Sequence, residues 1–196
     1  MPSIDIDVII VGAGLAGLAC AQHLKENGVS FLVIEADARI GGRLKTDQID
    51  GFLLNHGFQV LQTAYPEARR MLNYDRLQLK SFAPGAIIRI NGSFYRIADP
   101  TRRPRDFWST LTAPIGTFKD RLRMLQLTVR ARRNSVSQLF QTPDQSTITF
   151  LKAESFSERM IQRFFKPFFG GVCLDPEIMA SSRVFQYVLR IFAESD

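Results

Sequence analysis

The chain has 196 residues, of which 45% are hydrophobic and 22% charged, with 25 Lys and Arg against 19 Asp and Glu. This length allows one domain, or one plus part of another, and the apolar content predicts a globular protein with a sizeable core. No apolar run is long enough to cross a bilayer, and no basic segment with an apolar core opens the chain, which argues against a membrane span or a secretory signal. The two isolated cysteines favour a reducing compartment, the cytoplasm. With only two histidines besides, a metal site is not expected.

The first 35 residues have the order strand, glycine turn, helix, strand and acid. Residues 6–11 form an apolar run typical of a buried parallel strand, and a second apolar run, residues 29–34, ends in Glu35. Between them a helix closes at Asn27-Gly28. The turn that opens this helix is Gly12, Ala13, Gly14, Leu15, Ala16 and Gly17. This order is the dinucleotide-binding fingerprint, and it predicts an α/β fold with a Rossmann-like FAD/NAD(P)-binding βαβ unit and a parallel sheet.

Each position of the fingerprint has a physical role. Gly12 permits the tight turn, Gly14 lets the backbone approach a pyrophosphate, and Gly17 allows close packing of the helix on the sheet. The pyrophosphate would lie against the open N–H groups at the start of the helix. Glu35, followed by Ala36, would accept hydrogen bonds from ribose hydroxyls. The alternative is a glycine-rich turn that binds no ligand.

A second glycine motif follows, in the order Arg39-Ile40-Gly41-Gly42-Arg43-Leu44-Lys45-Thr46. Its Gly-Gly pair gives a loop whose backbone can lie against a ligand, and Arg43 offers a bidentate phosphate donor. The alternative is an ordinary surface turn with a solvated arginine. With both motifs in this order, the chain resembles the FAD-dependent oxidoreductases of the amine oxidase superfamily, which includes the phytoene desaturase-like and protoporphyrinogen oxidase-like enzymes.

This resemblance implies FAD as the cofactor and covers almost the whole chain, with its specific motifs in the first 46 residues. It implies that the residues of the first turn and Glu35 hold the ADP half, while Gly41, Gly42 and Arg43 lie along the pyrophosphate. It also implies that Gly57, Phe58 and Gln59 pass by the flavin, and the alternative for these three is an apolar turn over the core. Members of the superfamily are considerably longer, so we expect an N-terminal portion whose substrate domain is partial.

The remaining elements are predicted from turns and periodicity, in a partial α+β substrate domain at residues 61–196 that follows a nucleotide-binding domain at residues 1–60. Hairpins are expected at Asp50-Gly51 and Asn91-Gly92. Helices are expected at residues 66–72, 118–133 and 181–192, and another with Ser155 as N-cap that Pro167 disrupts. Prolines at 100, 104 and 114 indicate loops, and residues 135–146 read as a polar linker.

Two features have competing interpretations. The phenylalanine-rich helix before Pro167 fits core packing better than a pocket for an apolar small-molecule substrate. Residues 101–133 contain nine Lys and Arg against two Asp, which indicates either a solvated helix face or peripheral contact with an anionic membrane, a partner or an anionic ligand. The solvated face is favoured, with Phe118, Leu122, Leu125 and Val129 as a separate apolar stripe. Nucleic-acid binding is not expected, because no recognised module accompanies the charge.

The sequence therefore predicts an FAD-dependent oxidoreductase, or its N-terminal part, that transfers hydride from an organic substrate to the flavin. The alternative is a non-catalytic nucleotide-binding fragment that acts with a separate C-terminal half. No catalytic acid, base or nucleophile can be assigned, since His23 and His56 fit structural roles and Glu35 is a ribose ligand.

Overall fold

The computed structural model describes residues 5–57, 60–99 and 102–195, which form two compact units, Met1–Leu61 and Gln62–Asp196. No helix within the described residues is both long and apolar enough to cross a bilayer. The assignment of residues 1–60 to nucleotide binding and of residues 61–196 to a partial substrate domain stays a prediction.

The first unit opens with the predicted βαβ arrangement, which confirms the α/β fold. Strand β1 (Val8–Val11) pairs in parallel with β2 (Phe31–Ile34), and helix α1 (Leu15–Glu26) connects them. Both strands begin two residues later than the apolar runs predict. The Ser30 hydroxyl donates a 2.5 Å hydrogen bond to the Asp7 carboxylate, and this side-chain pair occupies the position where strand pairing would otherwise continue.

A hairpin completes the first unit. Strands β3 (Thr46–Ile49) and β4 (Phe52–Asn55) pair antiparallel, with Ile49 opposite Phe52. The two residues between them, Asp50 and Gly51, have φ values of 51° and 84°. Positive φ at both positions is the geometry of a two-residue hairpin turn, so the hairpin predicted from the Asp-Gly pair is confirmed.

The second unit begins with short helices α2 (Pro66–Met71) and α3 (Tyr74–Leu77), followed by a hairpin. Strands β5 (Gly85–Ile90) and β6 (Ser93–Ala98) pair antiparallel around Asn91-Gly92, as predicted. Helix α4 (Phe107–Thr112) packs on β6. The prolines there had indicated only loops, but Pro104 starts a helical turn that leads into α4, a position where proline is tolerated.

Six further α-helices and one π-helical turn occupy the described part of the chain after residue 117. They are α5 (Phe118–Arg133), α6 (Val136–Gln141), α7 (Thr147–Ala153), α8 (Glu158–Met160), the π turn (Ile161–Phe165), α9 (Lys166–Cys173) and α10 (Ser182–Glu194). The predicted bounds of α5 are confirmed. The predicted polar linker at residues 135–146 is wrong, because the Ser135 side chain and Gln138 form a capping box that starts α6.

The start of α8 corrects a second prediction. Ser157, and not Ser155, is the N-cap, and its hydroxyl accepts a hydrogen bond from the Met160 amide. Ser155 has a φ of 61° and lies in the turn after α7. The chain stays helical through Pro167, since the π turn precedes it and Pro167 falls in the first turn of α9, where its missing N–H costs little.

The core of the second unit lies among α5 and α7–α10 and is rich in aromatic side chains. Phe165, Phe169 and Phe185 are each at most 2% exposed, and the ring centroids of Phe169 and Phe185 lie 4.6 Å apart. The phenylalanine-rich helix therefore serves core packing, the interpretation that the sequence favoured. The stripe of four apolar residues on α5 lies outside this core and is exposed.

Asp120, at the start of α5, is a fully buried carboxylate that joins two helix N-termini. It accepts hydrogen bonds from the amide (2.6 Å) and hydroxyl (2.7 Å) of Thr117, and from the amide (2.8 Å) and hydroxyl (2.7 Å) of Ser157. Burial alone would raise its pKa, but these four donors outweigh burial and lower the pKa to about 2. Asp120 thus caps α5 and fixes the start of α8 against it.

The depressed pKa predicts acid sensitivity of the second unit. A carboxylate with a folded pKa of about 2 and an ordinary value of 3.8 contributes stability that is full above about pH 4. That contribution, about 2 kcal/mol, is lost as the pH falls towards 2, because the unfolded chain binds the proton first. The free energy of unfolding in urea, measured at about pH 5 and about pH 2.5, gives this loss. The decline should be shallower in Asp120→Asn, and an equal decline in both proteins would contradict the assignment.

Candidate nucleotide-binding site

The turn after β1 is held in a shape that requires glycine at two of its positions. Gly12 has a φ of 96°, and its amide donates to the Ile34 carbonyl at 2.7 Å, which extends the pairing of β1 with β2. A Cβ on Gly17 would lie 1.9 Å from the Gly12 carbonyl oxygen and 3.3 Å from Ile10. Helix α1 therefore approaches the strand as closely as its backbone allows, as the fingerprint predicts.

Gly14 faces open space at the N-terminus of α1. It is the N-cap residue, with ordinary backbone angles, and a Cβ built on it meets nothing within 4 Å. No side chain caps this helix end, and the next residues, Leu15 and Ala16, are exposed. The first N–H groups of a helix lack intrahelical partners and carry its positive dipole end. This end of α1 is thus open to an anion.

The Glu35 carboxylate faces the turn. Its Oε2 atom accepts a 2.6 Å hydrogen bond from the Ala13 amide, and its Oε1 atom accepts one of 3.0 Å from the Asp37 amide. The Asp37 amide, followed by those of Ala13 and Ala36, lowers the pKa of Glu35, so this side chain is an anion at neutral pH. Each carboxylate oxygen keeps a second lone pair for a ribose hydroxyl. The Ala13 N–H, however, is already occupied.

The second glycine motif contacts the first. The Gly41 amide donates to the Ala13 carbonyl at 2.8 Å, and a Cβ on Gly42 would lie 3.3 Å from the Gly14 Cα. Both Gly41 and Gly42 have positive φ, 116° and 55°, and they lead into the helical turn that carries Arg43. Arg43 is exposed at this junction. The structure thus brings the two motifs into one surface, with an arginine at its margin.

Gly57 lies against the second motif. A Cβ there would be 2.5 Å from the Arg43 carbonyl oxygen, so only glycine permits this approach. Two other residues predicted to pass by the flavin, Phe58 and Gln59, lie outside the described residues, and their roles stay predictions.

An ionic cluster beside the second motif was not found from the sequence. Asp47 accepts from the Arg39 guanidinium and lies 2.7 Å from the His56 Nε2 atom, while Lys45 pairs with Asp37. Hydrogen bonds from Arg39, then His56, lower the pKa of Asp47. The hairpin register contains the relevant signal, since it places Thr46 opposite Asn55 and so brings their neighbours in sequence together. The cluster ties the Gly-Gly loop to the hairpin.

These features fit an ADP-containing cofactor. Unblocked helix amides suit a pyrophosphate, glycine at position 14 leaves the approach clear, and the anionic Glu35 provides acceptors for a ribose. Within the described ranges, no group of three or more His, Cys, Asp or Glu side chains could hold a metal ion.

Comparison with known proteins supports the same assignment. A sequence model described as flavin containing amine oxidoreductase matches residues 15–194. Protoporphyrinogen oxidase 2 of Arabidopsis thaliana is 26% identical over 179 residues, which are 91% of this chain and 35% of the relative. Coproporphyrinogen III oxidase of Propionibacterium freudenreichii is 26% identical over 174 residues, 84% of this chain and 31% of the relative. The chain thus spans about a third of these relatives' length.

Solved structures agree with this result. Putrescine oxidase bound to putrescine matches with a TM-score of 0.57 and 26% identity, covering 96% of this chain and 42% of that one. Cyclohexylamine oxidase from Brevibacterium oxydans matches with a TM-score of 0.55 and 26% identity, covering 81% and 36%. Together with the nucleotide-binding geometry, these similarities confirm FAD as the cofactor. The family model matches well over half of the chain, which therefore belongs to the flavin-containing amine oxidoreductase family.

Proposed function

We propose that this chain provides the ADP-binding part of an FAD-dependent oxidoreductase that transfers hydride from an organic substrate to the flavin. The observation that carries the proposal is the meeting of the two glycine motifs at the Gly41–Ala13 hydrogen bond, beside an open helix N-terminus and an inward-facing Glu35 carboxylate. Putrescine oxidase and cyclohexylamine oxidase, which have a similar fold, support the class of reaction.

The residues of the chain have distinct tasks in this function. The amides at the start of α1 would bind the pyrophosphate, assisted by the nearby Arg43 guanidinium, and Glu35 would orient the adenosine ribose. Glu35 is unsuited to acid–base catalysis, because the two backbone amides that lower its pKa leave it without a proton to donate at neutral pH and make it a weak base. When bound, the flavin supplies the hydride-accepting chemistry.

A second candidate is a non-catalytic nucleotide-binding polypeptide that acts with a separate C-terminal half. An exposed apolar face of the β1–β2 pair supports this second candidate. Ile9, Val11, Leu32 and Ile34 lie on that face, and each is at least 43% exposed. Parallel sheets are normally covered on both faces, so this face suits a further polypeptide.

We also propose a class of substrate and a cellular location for the protein. The substrate would be a small, apolar organic molecule, in keeping with the small-molecule substrates that the names of the relatives suggest for those proteins. The protein would be cytoplasmic, with peripheral membrane contact through residues 101–133. In this segment Arg103 and Arg121 are already engaged within the protein, so fewer charges are available than the sequence suggests.

The absorbance spectrum of the purified protein separates the two candidates. Flavin bands that bleach when an amine or porphyrinogen substrate is added under anaerobic conditions support the oxidoreductase. A colourless protein that binds ADP in calorimetry supports the nucleotide-binding polypeptide. A protein that binds neither FAD nor ADP would overturn both candidates.

Substitution at Gly14 tests the site itself. Gly14→Val should fold normally, because the Cβ meets nothing within 4 Å and the backbone angles are ordinary. The added methyl groups would occupy the approach of the pyrophosphate, so ADP affinity should fall by roughly 100-fold, a loss of about 3 kcal/mol. Calorimetric titration measures the change.

The matched control is Gly171→Val, at a glycine in the second unit that also has open space around it. This control should bind ADP like the unaltered chain. Equal affinity in Gly14→Val and Gly171→Val would exclude the turn as the binding site.

A further inference from the structure

The outer face of α5 is apolar although it lies in water. Phe118, Leu122, Leu125 and Val129 follow each other at spacings of four, three and four, which places them on one side of the helix. They are 69%, 50%, 56% and 39% exposed. Contact with the core is made by the opposite side, where Leu127 and other residues are buried. A continuous apolar stripe of this kind on a surface helix indicates an interaction surface.

Cations border this stripe on both sides. At 100° per residue, Arg132 lies on one flank of the stripe, and Lys119 and Arg133 lie on the other. All three are exposed, and none has a side-chain partner among the residues that the structure describes. The one acidic residue of α5, Asp120, is fully buried and faces α8. The exposed surface of the helix is therefore apolar in the middle, positive at both edges and free of acidic side chains.

We propose that this face of α5 docks on an anionic lipid surface, with its apolar stripe at the acyl boundary and its cations among the headgroups. An amphipathic helix with Lys and Arg beside an apolar face has this mode of binding. Each cation near an anionic surface adds to the attraction. Pairing with α5 of a second copy is disfavoured, because it would bring two positive rims together. The proposal narrows the membrane contact suggested for residues 101–133 to one helix face and is independent of the nucleotide site.

Sedimentation with lipid vesicles tests the proposal. We expect the protein to bind phosphatidylcholine vesicles that contain about a third phosphatidylserine, and to bind vesicles of phosphatidylcholine alone at least about tenfold more weakly. Raising the salt concentration from about 0.1 M to about 1 M should release most of the bound protein, since the Debye length shrinks about threefold. Equal binding to both kinds of vesicle, or binding to neither, would overturn the proposal.

Variants of the stripe identify the surface. The double variant Leu122→Gln, Leu125→Gln should lose at least about tenfold in vesicle affinity, because two apolar side chains no longer enter the acyl boundary. The matched control is Leu77→Gln, Leu79→Gln, which changes two exposed leucines elsewhere in the same unit. This control should bind vesicles normally. If both double variants bind the vesicles as tightly as the unaltered protein, α5 is not the docking surface.

Variants of the flanking cations test the charge. Arg132→Gln, Arg133→Gln should weaken binding to the anionic vesicles roughly tenfold or more and reduce its salt dependence. All variants should keep the circular dichroism spectrum and the ADP affinity of the unaltered protein, so failure of the nucleotide site is distinguished from failure of lipid docking. Self-association that Leu122→Gln, Leu125→Gln abolishes, without vesicle binding, would assign the face to a second copy and contradict the proposal.

Discussion

Gly17→Ala should unfold the first unit. The new Cβ would lie 1.9 Å from the Gly12 carbonyl oxygen, and that oxygen belongs to backbone fixed between β1 and the turn. Overpacking against side chains costs about 1–3 kcal/mol, and a backbone atom has less freedom to move, so we expect about 3 kcal/mol or more. A unit of this size has a total stability of only about 3–5 kcal/mol. Limited proteolysis should therefore cleave the first 61 residues rapidly while residues 62–196 stay resistant.

The matched control for this prediction is Gly14→Ala. It adds the same methyl group to the same turn, but at a position with nothing within 4 Å. Its protease resistance should equal that of the unaltered protein. If Gly17→Ala proves as resistant as Gly14→Ala, the close approach of α1 to β1 is not present in solution. The geometry of the nucleotide site, which depends on this approach, would then be wrong.

Asp120→Asn should produce the largest loss of stability in the second unit. The amide keeps the size of the carboxylate, but its NH₂ group would point at donors that now have no acceptor. Removing one partner from a buried, charge-assisted network costs about 3–5 kcal/mol. We therefore expect the urea unfolding free energy at pH 7 to fall by about 3 kcal/mol. In Asp120→Asn, the further substitution Ser157→Ala should cost less than it does in the unaltered chain, because the two side chains share hydrogen bonds.

The control is Asp144→Asn. Asp144 also accepts a hydroxyl hydrogen bond, from Ser181 at 2.7 Å, and its pKa is also lowered, but its side chain is exposed. Exposed interactions contribute at most about 1 kcal/mol, so this variant should be nearly as stable as the unaltered protein. A similar loss of unfolding free energy in both variants would mean that burial does not determine how much Asp120 stabilises the fold.

Local chemistry explains which elements could be predicted from the sequence. The hairpins at Asp50-Gly51 and Asn91-Gly92 are predictable because both residues of such a turn need positive φ, which these residue pairs tolerate. The N-cap at Ser155 was wrong because Ser157 offers the same side chain two positions later, and only packing against Asp120 selects it. Helix α6 was missed because polar residues can cap a short helix as readily as form a linker.

The part of the site that depends on local chemistry could also be predicted from the sequence. The roles of Gly12 and Gly17 depend on neighbours close in sequence or on the strand beside them. In contrast, the hydrogen bond from Gly41 to Ala13 and the pairing of Asp47 with His56 depend on how the loop returns to the turn. Periodicity found the apolar stripe on α5 but could not show its direction, because the core on the other side is formed by helices that follow later in the chain.

The nucleotide site is tested most directly by titrating the ¹⁵N-labelled protein with ADP and following the amide signals in nuclear magnetic resonance spectra. The amides of Gly14, Leu15 and Ala16 should shift most, because the pyrophosphate would lie against the open N-terminus of α1. The amide of Ala13, already bonded to Glu35, should shift less. Saturable binding of ADP that leaves the signals of Gly14, Leu15 and Ala16 unchanged would contradict the nucleotide site.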